Sequence, residues 1–289
     1  NAAIASGESE AVRATGGELF KMGEFFYLTG GHVFSGVFDP KNPSKFVENQ
    51  KYLDAVHRFR LIQRGDMLKV TDVSKITDGF PDDSTQFRRR DLPVTPALQL
   101  QGSNSPIASV TMYAGVFTAD SNKIAGLGNT TNWINPIYIQ QDGSYQIDDT
   151  YEQDNNVYAT ANFVAYDGST QMLYTTLIGG IGTENYNEFV KNVMTINRPL
   201  AGGESFATTQ TAMGTTNYFG AESNMILNPD APMVDDNPIF DISSLNSGES
   251  MDIGYFYGGS EAETASPGGW GKGLSKASSR VFKVSITKN

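Results

Sequence analysis

The 289-residue chain reads as all-β, built by repeating one sheet unit, and three observations predict this. An apolar, aromatic run meets glycine four times, at residues 24–36 (Glu-Phe-Phe-Tyr-Leu-Thr-Gly-Gly-His-Val-Phe-Ser-Gly), 110–118, 173–183 and 253–261. The glycines Gly31, Gly115, Gly180 and Gly259 recur at intervals of 84, 65 and 79 residues, by difference of their numbers. A period of that order, filled with short strands, points to radial repetition rather than to a two-sheet sandwich. No stretch shows helical periodicity over a convincing length, and the best candidate, 187–193, reads better as loop and strand. The architecture predicted is a β-propeller with about four recognisable blades, at approximately 13–78, 88–154, 157–213 and 219–289, within a single domain. The competing reading is four ordinary hairpin glycines in an all-β protein of another design.

Residues 1–12 are small, polar and weakly patterned. A short strand is expected at 18–22, then a nearly continuous apolar strand at 24–29, a run that wants both faces buried. A polar loop over 38–51, with Pro40 and Pro43, leads to a partly alternating strand at 52–62 and a more polar outer strand at 67–73. The second unit takes 91–101, an inner strand at 108–117, and a strand at 133–140. Pro136 gives that last strand an edge position or a bulge, because proline donates no ladder hydrogen bond. Residues 143–149 close the unit after the turn Gln141-Asp142-Gly143. The third unit runs through 158–166, the turn Asp167-Gly168, 172–181, 189–197 and 205–211. The fourth has a leading strand at 221–227, a long loop at 228–237, then strands at 251–258 and 280–287. Glycine suits the centre of such an array, where inner strands converge and backbones approach closely.

Bulk properties narrow the function classes. A hydrophobic content of 39% with 11% aromatics is that of a globular chain. The net charge of −11 and a pI near 4.6 argue against a nucleic-acid partner, since little basic surface is left to neutralise phosphates. The charge is thinly spread and serves solubility. With no cysteine, disulfides, thiolate nucleophiles and Cys-ligated zinc are excluded. No apolar run reaches the roughly 18–20 residues that span a bilayer. The chain opens at Asn1 with neither Met nor a signal-peptide pattern, and reads as a processed or truncated start.

The strands Tyr27-Leu28-Thr29-Gly30-Gly31, Leu177-Ile178-Gly179-Gly180 and Phe256-Tyr257-Gly258-Gly259 resemble kelch repeats. Each is followed by a strand such as His57-Arg58-Phe59-Arg60-Leu61 or Arg280-Val281-Phe282-Lys283-Val284. More narrowly, residues 15–36 and the ending Tyr255-Phe256-Tyr257-Gly258-Gly259 with 278–284 resemble exported kelch-like proteins of Bacteroidota. The resemblance covers most of the chain but is specific only in these stretches. It implies a propeller and a location that is periplasmic, outer-membrane-associated or extracellular, and hardly any chemistry. Members of that family carry further blades before the part matched here. The fourth unit stops after its third strand, so either residues 1–12 supply the missing outer strand and close the ring, or the chain is the C-terminal part of a larger one. An open ring would expose two sheet edges able to pair with another chain.

Histidine occurs only as His32 and His57, so a His-rich metal centre is excluded and a Ser-His-Asp triad would need one of the two. His32 follows the glycine pair, where propellers expose side chains to a central channel; the alternative is a hydrogen-bonded loop histidine. His57, beside Arg58, reads as structural or surface. Arg88-Arg89-Arg90-Asp91 is the densest basic cluster, and alternation would turn Arg88 and Arg90 into a channel while Arg89 points out. Guanidinium forks suit carboxylates, and pairing with Asp82, Asp83 or Asp91 is the plainer role. Asp142, Asp148, Asp149, Glu152 and Asp154 lack the EF-hand pattern and read, like Asp235-Asp236, as solvated acidic loops. Trp270, in Pro267-Gly268-Gly269-Trp270-Gly271-Lys272-Gly273, offers a large contact area for a sugar or a partner, or fills an apolar gap. The motif is no phosphate loop, lacking Gly-Lys-Ser/Thr.

His32, Arg88, Arg90 and Trp270 are therefore the candidate ligand or partner contacts, with no catalytic set, metal or cofactor assigned. The expected function is a non-enzymatic binding module of the bacterial cell envelope, one version being an accessory subunit of an outer-membrane export complex, with a protein as partner. The alternative is a carbohydrate-active propeller, glycan-binding or a sugar mutarotase or epimerase, in which His32 with Arg88 or Arg90 lines the channel. Copper oxidation of the galactose oxidase kind would need a cross-linked cysteine the chain does not have.

Overall fold

Short runs of alternating polarity, cut by turns, glycine and proline, fold into twenty β-strands among the described residues. The structure is a computed structural model. It describes residues 13–37, 47–80, 84–101, 105–116, 133–153, 157, 160–182, 188–201, 207–213, 217–220, 222–265 and 275–289. The first sheet holds β1 (Thr15–Met22), β2 (Phe25–Val37), β3 (Val47–Tyr52), β4 (Val56–Arg64) and β5 (Met67–Ile76). Its order is β1-β2-β4-β5, with β3 pairing the far half of β2. The second sheet is the meander β6 (Val94–Gln101), β7 (Ser105–Met112), β8 (Ile137–Gln140) and β9 (Tyr145–Ile147). The third repeats it with β10 (Ala161–Asp167), β11 (Met172–Ile178), β12 (Asn192–Pro199) and β13 (Ala207–Ala212).

The chain then passes through β14 (Tyr218–Phe219), β15 (Ser223–Leu227), β16 (Phe240–Asp241), β17 (Ser250–Gly258), β18 (Ser260–Ala262), β19 (Ser275–Ala277) and β20 (Val281–Thr287). The fourth sheet is β15-β17-β20; β14-β18-β19 make a small sheet, and β16 joins the third sheet parallel to β10. The fourth sheet thus has three strands where the second has four.

Cores lie between consecutive sheets. Met22, Tyr27, Val56 and Ile76 of the first pack on Val110, Met112, Ile137 and Ile139 of the second. Ala97 and Leu98 of the second meet Val164, Tyr166 and Leu173 of the third. Phe163, Ala165 and Ile178 of the third meet Ile253 and Phe256 of the fourth. Burying each large side chain contributes roughly 1.5–3 kcal/mol, so these face-to-face layers dominate the stability. Among the described residues no core cluster joins the fourth sheet to the first. What is seen is an all-β stack of antiparallel sheets in chain order.

Several boundaries differ from the sequence reading. The strand expected at 24–29 continues through the glycine pair to Val37, and the loop expected at 38–51 yields β3 from Val47, which pairs that extension in register from His32–Tyr52 to Val37–Val47. Only one face of β2 is sealed. Its other side carries Phe26 stacked on Phe59 at 5.9 Å, beside exposed Leu19 and Leu61, because no described sheet covers that end of the stack. The strand expected from 133 begins at Ile137, directly after Pro136. Residues 1–12, read as a ring-closing strand, lie outside the described residues.

Candidate functional site

The glycine pair of β2 positions the candidate site. Gly30 and Gly31 have φ of 62° and 91°, and the Gly31 N–H donates to the Arg89 carbonyl at 2.6 Å. The arginine segment is thereby drawn against the end of the first sheet. The motif repeats in the third sheet, where the Gly180 N–H donates to the Phe219 carbonyl at 3.1 Å.

The three arginines then diverge. Arg88 is 4% exposed, with its guanidinium 4.0 Å from the centre of the Tyr52 ring. Arg90 lies 5.9 Å from the same ring, places Nη1 3.5 Å from His32 Nε2, and pairs with Asp91 at 3.5 Å. His32 is 6% exposed and its ring lies 5.6 Å from that of Tyr52. His32, Arg88 and Arg90, which sequence reasoning proposed, therefore meet on one aromatic, Tyr52. Sequence reasoning missed Tyr52, since it sits in the stretch read as the border of a polar loop and only its register opposite His32 reveals it.

Arg89 takes the other direction, and the expectation that it points outward is corrected. Its side chain is fully buried, donating from Nε to the Gln86 carbonyl at 2.8 Å, from Nη1 to the Ala114 carbonyl at 3.0 Å and from Nη2 to the Asn135 carbonyl at 2.8 Å. Trp133 lies 5.3 Å from the guanidinium. A planar fork can satisfy three divergent carbonyls, which an ammonium cannot.

Electrostatics set the protonation of the cluster. Burial, and then Arg90, hold the His32 pKa down at about 4, so the ring is neutral at physiological pH. A guanidinium only donates, so Nε2 accepts and Nδ1 carries the proton. Nδ1 is buried and finds no acceptor among the described residues. Burial pushes the Asp91 carboxyl up, Arg90 opposing it. Relative to the ordinary 6.5, the depressed His32 pKa means that the unfolded chain takes up the proton first. Its contribution to stability is thus complete above pH 6.5 and lost as pH falls through about 4. His57, buried and lowered by burial and then Lys75, acts in the same direction. In urea titrations at acid and neutral pH, His32→Gln should remove about 2 kcal/mol of the acid destabilisation. An unchanged pH dependence would refute the assignment.

The other sequence candidates fall elsewhere. Asp148 is not a solvated loop residue: it is buried, accepting from the Tyr138 hydroxyl at 2.8 Å and from the Thr150 and Tyr151 N–H groups. Asp235 and Asp236 are exposed. Asp82, Asp83, Asp154 and Trp270 lie outside the described residues. Among the described residues no three His, Asp or Glu side chains gather to hold a metal ion, and no helix is long and apolar enough to cross a membrane.

A second feature had no sequence signal. Between the third and fourth sheets lies a cleft of ≈ 830 Å³, walled by β10–β13 on one side and by residues 282–289 on the other. The far face of the fourth sheet exposes Ile226, Tyr255, Tyr257 and Val281, neighbours across the register Ile226–Tyr255 and Tyr257–Val281.

No family model matches the chain, and no curated protein matches its sequence. Among solved structures, a chain in the cryo-EM structure of RAG in complex with one melted RSS and one unmelted RSS matches with 11% identity and a TM-score of 0.47. The match covers 92% of this chain and 65% of that one. The matched structure is a complex with RSS, and the expectation of no nucleic-acid partner, which rested on net charge alone, is withdrawn. Net charge is a sum over the chain and does not fix the sign of any one surface.

Proposed function

We propose that the protein is a non-enzymatic interaction module whose four sheets are consecutive kelch-like propeller blades, working in the bacterial cell envelope as a subunit docked on a larger protein assembly. The observation that carries this is the uncovered face of the fourth sheet. Ile226, Tyr255, Tyr257 and Val281 are 56%, 49%, 37% and 65% exposed, side by side. Inside the stack each junction covers one sheet face with another, whereas this face, like the outer face of the first sheet, is left uncovered among the described residues, so the partner expected here presents an apolar sheet face of its own. Tyrosine suits such a surface, offering a large rigid contact with a polar tip.

The test is Tyr255→Lys with Tyr257→Lys in the cells that make the protein, followed by cross-linking and purification from the envelope fraction. A specific protein recovered with the unaltered chain should fall at least about tenfold with the double variant, as loss of two aromatic anchors implies. Recovery that is unchanged, or a protein found outside the envelope, would refute the reading.

The carbohydrate-active reading has one observation in its favour, the meeting of His32, Arg88 and Arg90 on Tyr52. Against it, His32 and Arg88 are almost wholly buried, and a general acid or base must reach its substrate. The cluster is better suited to joining the first sheet to the second.

A further inference from the structure

The walls of the cleft between the third and fourth sheets are of two different kinds. The third sheet contributes every second residue, Tyr174, Thr176 and Ile178 from β11 and Val193, Thr195 and Asn197 from β12, which is one face of a sheet. The fourth sheet contributes Phe256 of β17 and an unbroken run from Phe282 to Asn289. Consecutive residues of a strand line a space together only where its hydrogen-bonding edge faces that space. Among the described residues β20 pairs with β17 alone, and no described strand lies along its other edge. The second and third sheets each carry a fourth meander strand, β9 and β13. The fourth sheet has none among the described residues, and the cleft lies where that strand would run.

We propose that this cleft is a strand-acceptor groove, taking an extended segment of a separate polypeptide that hydrogen-bonds along the free edge of β20 and packs its side chains on the face of the third sheet. This rests on the interaction-module reading and specifies how the partner is held. An exposed strand edge is a template for another chain, and strand addition draws affinity from main-chain bonds and specificity from alternate side chains. The third-sheet wall suits uncharged side chains, mixing Phe163, Tyr174, Ile178, Val193 and Met213 with four threonines. Thr176, Thr195, Thr209 and Thr211 bring hydroxyls and methyls, and Thr209 and Thr211 stay exposed at the opening. The cations beside the groove are already neutralised, Lys283 by Asp252 at 2.5 Å and Lys288 by Asp167 at 3.0 Å. Lysine on an edge normally repels another strand; here its charge is cancelled. The edge also borders the exposed face through Val281, so one partner can cover both.

The experiment uses the full chain and a fluorescein-labelled peptide of alternating Val and Thr with a Lys at each end, followed by fluorescence anisotropy. Saturable binding is expected, weakened about tenfold when the peptide is N-methylated on one alternate set of residues, which removes its pairing N–H groups. Thr209→Trp, at an exposed position that leaves the core intact, should abolish binding by filling the groove. Hydrogen exchange at 282–289 should slow when peptide binds. Absence of saturable binding, equal binding of both N-methylated peptides, or binding only by a peptide copying residues 1–12 would each overturn the proposal, the last by giving the groove to this chain's own start. Should Thr209→Trp retain a cellular partner that the Tyr255 and Tyr257 changes lose, the interaction-module reading stands and strand acceptance falls.

Discussion

Replacing Arg89 with methionine should destabilise the protein by about 2–4 kcal/mol, read as a lower urea midpoint at unchanged slope. Methionine matches the length of the side chain and keeps the site filled, so a cavity is not the cause. The loss comes from the carbonyls of Gln86, Ala114 and Asn135, which the guanidinium satisfies at 2.8, 3.0 and 2.8 Å and which no substitution can remove. Each buried acceptor left unpaired costs about 1–3 kcal/mol. Relief of a buried charge opposes this, because burial already draws the Arg89 pKa down to about 9. Apolar replacement of buried ions is often neutral where every partner goes with them, but these partners are backbone. Arg89→Lys should recover little, since one ammonium cannot span three divergent carbonyls. Arg88→Met is the comparison, because it keeps the buried site filled and removes the cation–π contact of about 0.5–2 kcal/mol over Tyr52 along with the other polar contacts of Arg88. If Arg89→Met costs no more than Arg88→Met, the three carbonyls are not what Arg89 is for.

The contrast between these neighbours shows what the sequence could carry. Strands that obey a local period were legible: 251–258 and 280–287 match β17 and β20 to within a residue. Two-residue β14 and β16 were not, since they exist only through partners far along the chain, Ala262 and Glu261 for β14 and Ala165 and Tyr166 for β16. The run Arg88-Arg89-Arg90 announced a basic cluster, and Arg89 does part from its neighbours, though no strand runs through 88–90 to make them alternate. Which side is the interior depends on the carbonyls around Arg89, and a backbone acceptor leaves no mark in a sequence. The glycine pairs were visible, and close backbone approach was the role expected of them, but the strand from 24 was expected to end at 29. The strand continues, and the glycines are there for what lies against them.

That role predicts the second large effect. Gly31→Ala should destabilise by about 2–4 kcal/mol and Gly31→Val by more, because two costs coincide. The φ of 91° strains any side chain, and a Cβ would stand 2.8 Å from the Thr15 carbonyl oxygen and 2.9 Å from the Gly17 nitrogen. Those atoms belong to the paired backbone of β1 and cannot swing aside. Gly65 separates the two costs: its φ is 59° but nothing lies within 4 Å of its would-be Cβ, so Gly65→Ala should cost only about 1 kcal/mol. The difference between the two variants combines the close approach with the added strain of a φ of 91° against 59°. It also reaches the candidate site, since the Gly31 N–H holds the Arg89 carbonyl at 2.6 Å and so fixes Arg88 and Arg90 over Tyr52. A Gly31→Ala protein that still folds should therefore release His32 from Arg90, the smaller of the two causes, and raise its pKa part of the way from about 4 while burial holds the rest, a shift visible by NMR titration of the ring. A pKa that stays near 4, or a cost no greater than that of Gly65→Ala, would mean that the glycine pair does not set the position of the arginine segment.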